Sequence, residues 1–508
     1  MSDERDEHAG QRALDAEAEN VALGGLARTG MLWSLFNSAA SRILNVGSSF
    51  VIARIVAPDQ LGTYAAAVLV LTIVLSMNEI GIGIAVIRWE DKLERILPTA
   101  VTTAFVASLF WAVLMFAAAP LIAGFLNAGD AATPIRILSI GVLLDGVSGI
   151  PGALMSRAFM QRERAAAELI GFGVGMPVGI LLAARHGAAG LATGLVVSNA
   201  VSTAIILWRA PARPRPGWDG QIARALVRVG MAPALTSMLL LAIVNVDSIV
   251  VSRVLGVTAL GFYAIAFNVA SWPLTLLSMS IRQVSLPAFS RLAKDRSQLA
   301  EAFCRSLTLA AGLAVLGGVL IVALATPLIG ILYSEKWLPA VIALQWLAIL
   351  GAVRVVLELS YDLLIAVGRG KALLRVQLTW LAAQVVALPL GAHLGGIEGV
   401  AIAQSAVAVG LVMPLNALLL VGSGVRWRAL VGALAPVGAA AAAAGVVAFV
   451  AVQVSLPWLI ELLGVGVMVT VVFGLVFLAT ERGRSALCWA GMPGLRRRHG
   501  GAVAAAGA

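Results

Sequence analysis

The chain has 508 residues, of which 60% are hydrophobic and only 12% are charged. Soluble globular proteins are about 45–50% apolar and about 25% charged, so this composition excludes a soluble enzyme and a disordered protein. The formal net charge of +10 fits the Lys and Arg residues that collect in the cytoplasmic loops of membrane proteins. We therefore predict an all-α polytopic membrane protein with no nucleic-acid partner.

The N-terminal half is predicted to contain a tail, six spans and a linker. Residues 1–28 are polar and lack the apolar core of a secretory signal peptide, so we expect a cytoplasmic tail. A membrane-spanning helix needs about 20 mostly apolar residues. Six such segments form a predicted N-lobe, residues 29–208, with limits near 31–53, 62–87, 97–125, 135–156, 166–184 and 188–208. The Arg- and Pro-rich segment 209–228 is predicted to be a cytoplasmic linker.

The C-terminal half repeats this plan and adds two helices. A predicted C-lobe, residues 229–421, has spans near 230–252, 260–281, 306–332, 338–366, 373–391 and 397–421. Two further spans, near 430–454 and 458–480, lie in segment 422–480. Residues 481–508 are expected to form a cytoplasmic tail. The fifth and sixth spans, and the eleventh and twelfth, are joined by very short glycine-containing turns.

The distribution of basic residues predicts the orientation. With both termini in the cytoplasm, 29 of the 36 Lys and Arg residues lie in inside segments and 4 lie in outside loops. Cytoplasmic loops carry this excess in most membrane proteins. One span more or fewer would reverse every later loop and remove the bias. The sequence therefore predicts fourteen spans.

An internal repeat relates the two halves. Residues 53–65 read ARIVAPDQLGTYA and residues 252–264 read SRVLGVTALGFYA. Arg54 then matches Arg253, and Tyr64 matches Tyr263. Six helices separate the copies, so both cross the membrane in the same direction. Two parallel six-helix lobes are typical of transporters that work by alternating access.

The segments NVDSIVVSRVLGVTALGFYAIA (245–266) and LPAFSRLAKDRSQL (286–299) resemble the central signature of Wzx-type polysaccharide flippases, which export lipid-linked oligosaccharides. ARIVAPDQLGTYAAAV (53–68) and NEIGIGIAVIRWED (78–91) are also similar to that family. The resemblance covers essentially the whole chain. It implies movement of an undecaprenyl-diphosphate-linked oligosaccharide from the cytoplasmic to the periplasmic leaflet of the bacterial inner membrane.

Ionisable residues inside spans are the candidate site residues, because each costs about 2.5–3.5 kcal/mol to insert and usually faces a cavity or a partner. Arg354, Glu358 and Asp362 recur every four residues in the tenth span and share one helical face. In one interpretation they form a substrate-binding stripe, in which Arg354 and Glu358 contact the headgroup and an acid carries a coupling proton. In the other, Arg354 pairs with Glu358 in an internal salt bridge and Asp362 simply lies near the cytoplasmic end.

Arg42 in the first span is a second candidate for binding an anionic substrate, since guanidinium groups match diphosphate oxygens bidentately. The alternative is snorkelling, or pairing with an acid such as Asp247, Glu79 or Asp145. Asp247 in the seventh span is a candidate coupling or cavity acid, or a structural hydrogen-bonding residue.

Glu79 and Asp145 are further candidate cavity acids, with polar packing as the alternative. Arg54 and Arg253 lie at the outer ends of the first and seventh spans. Each either snorkels and caps its helix or belongs to a periplasmic gate.

No cofactor or metal site is predicted. The four His residues are scattered through tails and loops, and no nucleotide-binding loop or nucleophile–base set is present. The glycines of Gly171–Phe172–Gly173–Val174–Gly175 indicate a helix-packing surface rather than a phosphate loop.

The leading functional hypothesis is a lipid-linked oligosaccharide flippase for exopolysaccharide, capsule or O-antigen synthesis, whose partners are its lipid-linked substrate and the membrane lipids. The family resemblance also implies a polysaccharide polymerase and a chain-length regulator. The alternative is a cation-coupled multidrug or metabolite extruder of the same fold.

Overall fold

A computed structural model describes residues 33, 36–78, 86, 93–212, 215–273, 289, 292, 295–453, 457–480 and 483–485. The regular secondary structure of these residues is helical throughout. The chain divides into two compact units, Met1–Leu241 and Ala242–Ala508, here called the N-terminal and C-terminal units.

The N-terminal unit is built from long apolar helices. They are α1 (36–55), α2 (Pro58–Asn78), α3 (Leu93–Phe125), α4 (Ala132–Arg157) and α5 (Gln161–Arg209). α6 (Gly220–Val250) begins in this unit and ends in the next. Asp219 caps α6, because its Oδ1 accepts hydrogen bonds from the backbone N–H groups of Gln221 and Ile222.

The short turn between the fifth and sixth predicted spans is a kink in α5. Gly187 adopts φ 51° inside this helix, a left-handed conformation that glycine reaches without steric cost. The Gln60 side chain of α2 stabilises the kink, since its Oε1 accepts the Ala188 backbone N–H at 3.1 Å. The 49-residue helix therefore folds back as two spans.

The C-terminal unit follows the same plan. A π-helical turn, Val251–Leu255, ends α6, and α7 (Val257–Ala270) follows it. The remaining helices are α8 (Arg296–Leu332), α9 (Ala340–Ala366), α10 (Gly370–Val407), α11 (Met413–Gly422), α12 (Trp427–Val452) and α13 (Trp458–Ala479). α10 kinks where Gly396 adopts φ 58°. A π-helical turn, Ala408–Val412, joins α10 to α11.

The described helices account for the predicted spans. Ten helices of the described chain are long and apolar enough to cross a membrane. Two of them, Gln161–Arg209 and Gly370–Gly422, are each folded into two spans by a glycine kink. The helix α1 and the shorter α7 lie at the first and eighth predicted spans, so the described helices are consistent with the predicted fourteen. The all-α polytopic class is confirmed, whereas the exact domain boundaries and the placement of the termini stay predictions.

The last two helices pack on the C-terminal unit through small and aromatic residues. Ala440 and Ala444 of α12 lie in one buried cluster with Phe473 and Phe477 of α13. Gly312 of α8 allows a close approach, because a Cβ atom there would lie 3.1 Å from the Phe477 ring. Small residues draw helices together in this way when no water drives the packing.

Substitution of Gly175 should destabilise the α5 hairpin. A Cβ atom at Gly175 would lie 2.5 Å from the Gly194 carbonyl oxygen, whereas one at Gly173 meets no atom within 4 Å. We expect Gly175→Val to cost about 1–3 kcal/mol and to lower the apparent melting temperature in detergent. Gly173→Val is the matched control and should leave it unchanged. Equal melting temperatures for the two variants would contradict this packing.

Candidate functional site

A fully buried carboxylate lies at the centre of a polar cluster in the C-terminal unit. The Asp247 side chain of α6 is 0% exposed. Its Oδ1 accepts the Ser248 backbone N–H at 2.6 Å, and its Oδ2 lies 2.9 Å from the Tyr263 hydroxyl of α7. Gln404, in the second half of α10, donates its Nε2 to the same Oδ2 at 3.0 Å. Three helices thus converge on one carboxylate.

Tyr263 and Gln404 also contact each other, which closes a ring of three polar groups. The Tyr263 hydroxyl lies 2.8 Å from Gln404 Oε1, and both side chains are fully buried. Gly256 positions these two helices. Its φ of 83°, which glycine adopts without steric cost, ends the π-helical turn and lets α7 turn back beside α6.

When Asp247 is ionised, one of the two oxygen–oxygen contacts in this ring has no hydrogen between its atoms. A tyrosine hydroxyl carries a single hydrogen, so it can donate to Asp247 or to Gln404 but not to both. If Asp247 is protonated, it donates to Tyr263, Tyr263 donates to Gln404, and Gln404 donates back to Asp247. Every oxygen–oxygen contact then contains a hydrogen. The geometry therefore accommodates a carboxylic acid as well as a carboxylate.

Arg354 of α9 is the cation of this cluster. Its guanidinium lies within electrostatic range of Asp247, Tyr263 and Glu358, although it forms no ion pair within 4.0 Å with a described carboxylate. The Cζ atom lies 5.4 Å from the centre of the Phe267 ring, within the range of a cation–π contact. The Nη2 atom is buried and has no hydrogen-bond partner among the described residues. A buried charged donor without an acceptor is costly, so this N–H is a candidate contact for an anionic ligand.

Of the three residues in the predicted stripe on α9, Arg354 belongs to this cluster. Glu358 is half-buried near Arg354, and Asp362 is buried at 1% exposure. Arg354 is within electrostatic range both of Glu358 on its own helix, the residue expected from the spacing, and of Asp247 on another helix.

The N-terminal unit has a smaller polar network. Asp145 of α4 accepts the Asn78 Nδ2 of α2 at 3.1 Å, and Asn78 Oδ1 accepts the Ser108 hydroxyl of α3 at 2.9 Å. Arg42 is half-buried on α1. Within the described part of the chain, no carboxylate forms an ion pair with Arg42. The Asp145 carboxylate is instead engaged in a hydrogen bond between α2 and α4, through Asn78.

The other predicted residues lie apart from both clusters. Arg54 at the end of α1 and Arg253 in the π-helical turn are exposed. Glu79 lies outside the described residues. Among the described residues, no three His, Cys, Asp or Glu side chains are grouped as metal ligands would be.

Sequence reasoning missed Tyr263, Gln404 and Phe267. Tyr263 stood in the repeat motif, but it was used there only to align the two halves. Gln404 carried a signal that was available, because an amide in the apolar stretch AIAQSAV must find a partner inside the membrane. The candidate site residues were all charged, so this amide was not among them.

Removing the Tyr263 hydroxyl should destabilise the C-terminal unit. Tyr263→Phe deletes the group that bridges Asp247 and Gln404, and we expect a loss of about 1–3 kcal/mol, measured as a lower apparent melting temperature. Tyr64→Phe is the repeat-related control, since the Tyr64 hydroxyl makes no hydrogen bond to any described residue. A Tyr64→Phe effect as large as that of Tyr263→Phe would contradict the ring.

Comparisons with known proteins agree with the fold. The solved lipid II flippase MurJ, in an inward closed conformation, superposes with a TM-score of 0.72 at 15% identity, covering 88% of this chain and 99% of that one. An inward-facing multidrug resistance MATE family transporter of the MOP superfamily gives 0.61 at 16% identity, covering 76% and 94%. At these identities the likeness shows the fold alone.

Curated relatives are similar in sequence as well. The teichuronic acid biosynthesis protein TuaB of Bacillus subtilis is 25% identical over 299 residues, which span 57% of this chain and 61% of TuaB, less than two thirds of its length. The lipopolysaccharide biosynthesis protein WzxC of Escherichia coli is 24% identical over 387 residues, 73% of this chain and 76% of WzxC.

A family model described as "Polysaccharide biosynthesis protein" matches residues 51–342. This range covers more than half of the chain and contains the repeat motifs, Asp247 and Tyr263. The resemblance drawn from residues 245–266 and 286–299 is thereby confirmed. The chain belongs to the polysaccharide biosynthesis protein family.

Proposed function

We propose that this protein flips an undecaprenyl-diphosphate-linked oligosaccharide between the leaflets of the bacterial inner membrane by alternating access. The observation that carries the proposal is Arg354, a guanidinium held inside a membrane-spanning unit with a buried Nη2 that has no acceptor among the described residues. Family membership supports the substrate class, since the relatives TuaB and WzxC are named for teichuronic acid and lipopolysaccharide biosynthesis.

A diphosphate headgroup matches the chemistry of Arg354. Phosphate oxygens accept two parallel N–H bonds from one guanidinium, and such charge-assisted bonds are about twice as strong as neutral ones. Phe267 covers one face of the group at 5.4 Å, which orients it without consuming a donor. Glu358, half-buried one turn away, is placed to accept sugar hydroxyls.

Asp247 supplies a means of coupling transport to protons. When Asp247 is ionised, its carboxylate balances the charge of Arg354. When it takes up a proton, the ring with Tyr263 and Gln404 closes, and Arg354 loses its main counter-charge. Arg354 then attracts an anionic headgroup more strongly. Proton binding at Asp247 and headgroup binding at Arg354 are therefore thermodynamically linked through a single pair of charges.

The remaining predictions belong to the same proposal. Arg42 contributes a second cation in the N-terminal unit, Glu79 and Asp362 are additional cavity acids, and Asp145 has the structural role of hydrogen bonding between helices. Arg54 and Arg253 act at the outer ends of their helices. Both termini lie in the cytoplasm, and a polysaccharide polymerase and a chain-length regulator act on the flipped product.

A cation-coupled multidrug extruder is the second candidate, and the buried carboxylates of Asp247 and Asp362 favour it over a carrier of neutral solutes. A drug-susceptibility panel on deletion and overexpression strains separates the two. Changed drug tolerance with normal surface polysaccharide would support the extruder.

Neutralising Arg354 should abolish polysaccharide export. In a deletion strain complemented with Arg354→Gln, we expect surface polymer to fall at least about 10-fold, the loss of one charge-assisted contact, while protein abundance stays normal. Arg354→Lys should restore export only in part, because an ammonium cannot form the bidentate contact. Arg185→Gln, at an exposed position, is the control with the same charge change.

Full export by a normally expressed Arg354→Gln protein would contradict the headgroup role of Arg354. Weak export by Arg185→Gln as well would show a general sensitivity to lost positive charge instead.

Replacing Asp247 by Asn should uncouple transport from the proton gradient. The amide keeps the size of the acid and one acceptor oxygen but does not exchange a proton. In proteoliposomes, an imposed pH gradient should accelerate headgroup translocation by the wild-type protein and leave the rate of Asp247→Asn unchanged. Asp145→Asn, in the N-terminal network, is the matched control and should keep the gradient response. A gradient response in Asp247→Asn would remove the coupling role.

A further inference from the structure

A basic cavity opens at one end of the C-terminal unit, apart from the Asp247 cluster. It has a volume of about 650 Å³ and lies between the first turns of α8, the turn from α11 to α12, and residues 483–485. Its charged walls are Arg296, Arg305, Arg426 and Glu301. This is the end at which the sequence predicts the cytoplasm.

Two of the three arginines keep their charge available. Arg305 forms an ion pair with Glu301 one turn before it on α8. Within the described residues, neither Arg296 nor Arg426 pairs with a carboxylate, and both are exposed at the mouth. The excess of positive charge fits an anion.

The nearest remaining acid is committed to the helix. Asp295 caps α8, accepting the backbone N–H groups of Ser297 and Gln298 on its Oδ1 at 3.0 and 3.1 Å. The Ser297 hydroxyl also donates to this oxygen, and these bonds hold the pKa of the Asp295 carboxyl below its ordinary value. The acid thus neutralises the helix terminus and leaves Arg296 to face the cavity.

The cavity also has an apolar part. Three small residues, Ala300, Ala429 and Ala433, line it together with Cys304 and Thr308. The Thr308 hydroxyl donates to the carbonyls of Cys304 and Ala433, which holds α8 against α12. A ligand in this cavity therefore meets both arginines and apolar side chains.

A mostly apolar groove begins next to this cavity and is lined by α8, α9 and α12. Ala433 lines the cavity and the adjacent Leu434 lines the groove, which extends to Thr326 of α8 and Val452 of α12 and has Glu461 at its lining. From Ala311 to Thr326, α8 rises about 22 Å at 1.5 Å per residue. One leaflet contributes half of the hydrocarbon core of about 30 Å, so the groove is long enough for the acyl chains of one phospholipid.

We propose that this cavity binds the phosphate headgroup of an anionic phospholipid, with its acyl chains along the α8–α12 groove. Basic pockets between transmembrane helices on the cytoplasmic side recognise such headgroups. Charge complementarity at the mouth and the apolar continuation together select a phosphate-bearing lipid over a soluble anion. The binding is separate from transport and does not rest on the proposed function.

Protection of Cys304 from alkylation tests the proposal, because this thiol lies on the cavity wall. The full-length protein in detergent carries Cys488→Ser, so that Cys304 is the remaining cysteine of the sequence. We expect phosphatidylglycerol to slow maleimide labelling of Cys304 and phosphatidylcholine to have little effect. Arg296→Gln with Arg426→Gln should weaken the protection by about 10- to 30-fold in lipid concentration, the loss expected for two basic residues at an anionic membrane surface.

The matched control is Lys371→Gln with Arg428→Gln, which removes the same charge from exposed positions outside the cavity lining and should keep full protection. Equal protection by phosphatidylcholine, or unchanged protection in the Arg296/Arg426 variant, would overturn the proposal. Protection by inorganic phosphate alone would assign the cavity to a soluble anion. Protection by undecaprenyl phosphate but not by phosphatidylglycerol would assign it to the transport substrate.

Discussion

The burial of Asp247 and Arg354 within electrostatic range of each other is the constraint on which the functional centre depends. Each charge alone costs about 2.5–3.5 kcal/mol in the middle of a bilayer, and a buried ion with no partner costs more still. Holding them on different helices, α6 and α9, makes the packing of the C-terminal unit part of their stabilisation. The same separation leaves the pair open to competition, by a proton on Asp247 or by a phosphate on Arg354.

The uncharged members of the cluster determine how that competition proceeds. Tyr263 and Gln404 give a protonated Asp247 a complete set of hydrogen bonds, so neutralising the acid does not leave a polar group unsatisfied. Arg354 is left with a buried N–H and an aromatic face. A site of this kind changes its charge with little change in structure, which suits a carrier that must return empty after each cycle.

Much of the architecture could be predicted from the sequence, because hydrocarbon imposes long apolar helices and the translocation of loops sorts basic residues. The short turns at Gly187 and at residues 395–396 were visible as glycines between apolar runs, and both became kinks. The proximity of Asp247 to Arg354 could not be predicted, because Asp247 lies 107 positions away and helical spacing relates only residues on one helix, such as Arg354 and Glu358. Gln404 was overlooked because uncharged amides were not considered.

The central claim is that this protein moves a lipid-linked oligosaccharide across the membrane. A clean deletion strain of the native host tests it most directly, with lipid-linked oligosaccharide in the extracted lipids quantified beside surface polysaccharide. The account predicts accumulation of the lipid-linked intermediate and loss of the surface polymer, with both restored by the wild-type gene. Unchanged levels of both, in a strain shown to carry no second flippase, would contradict it.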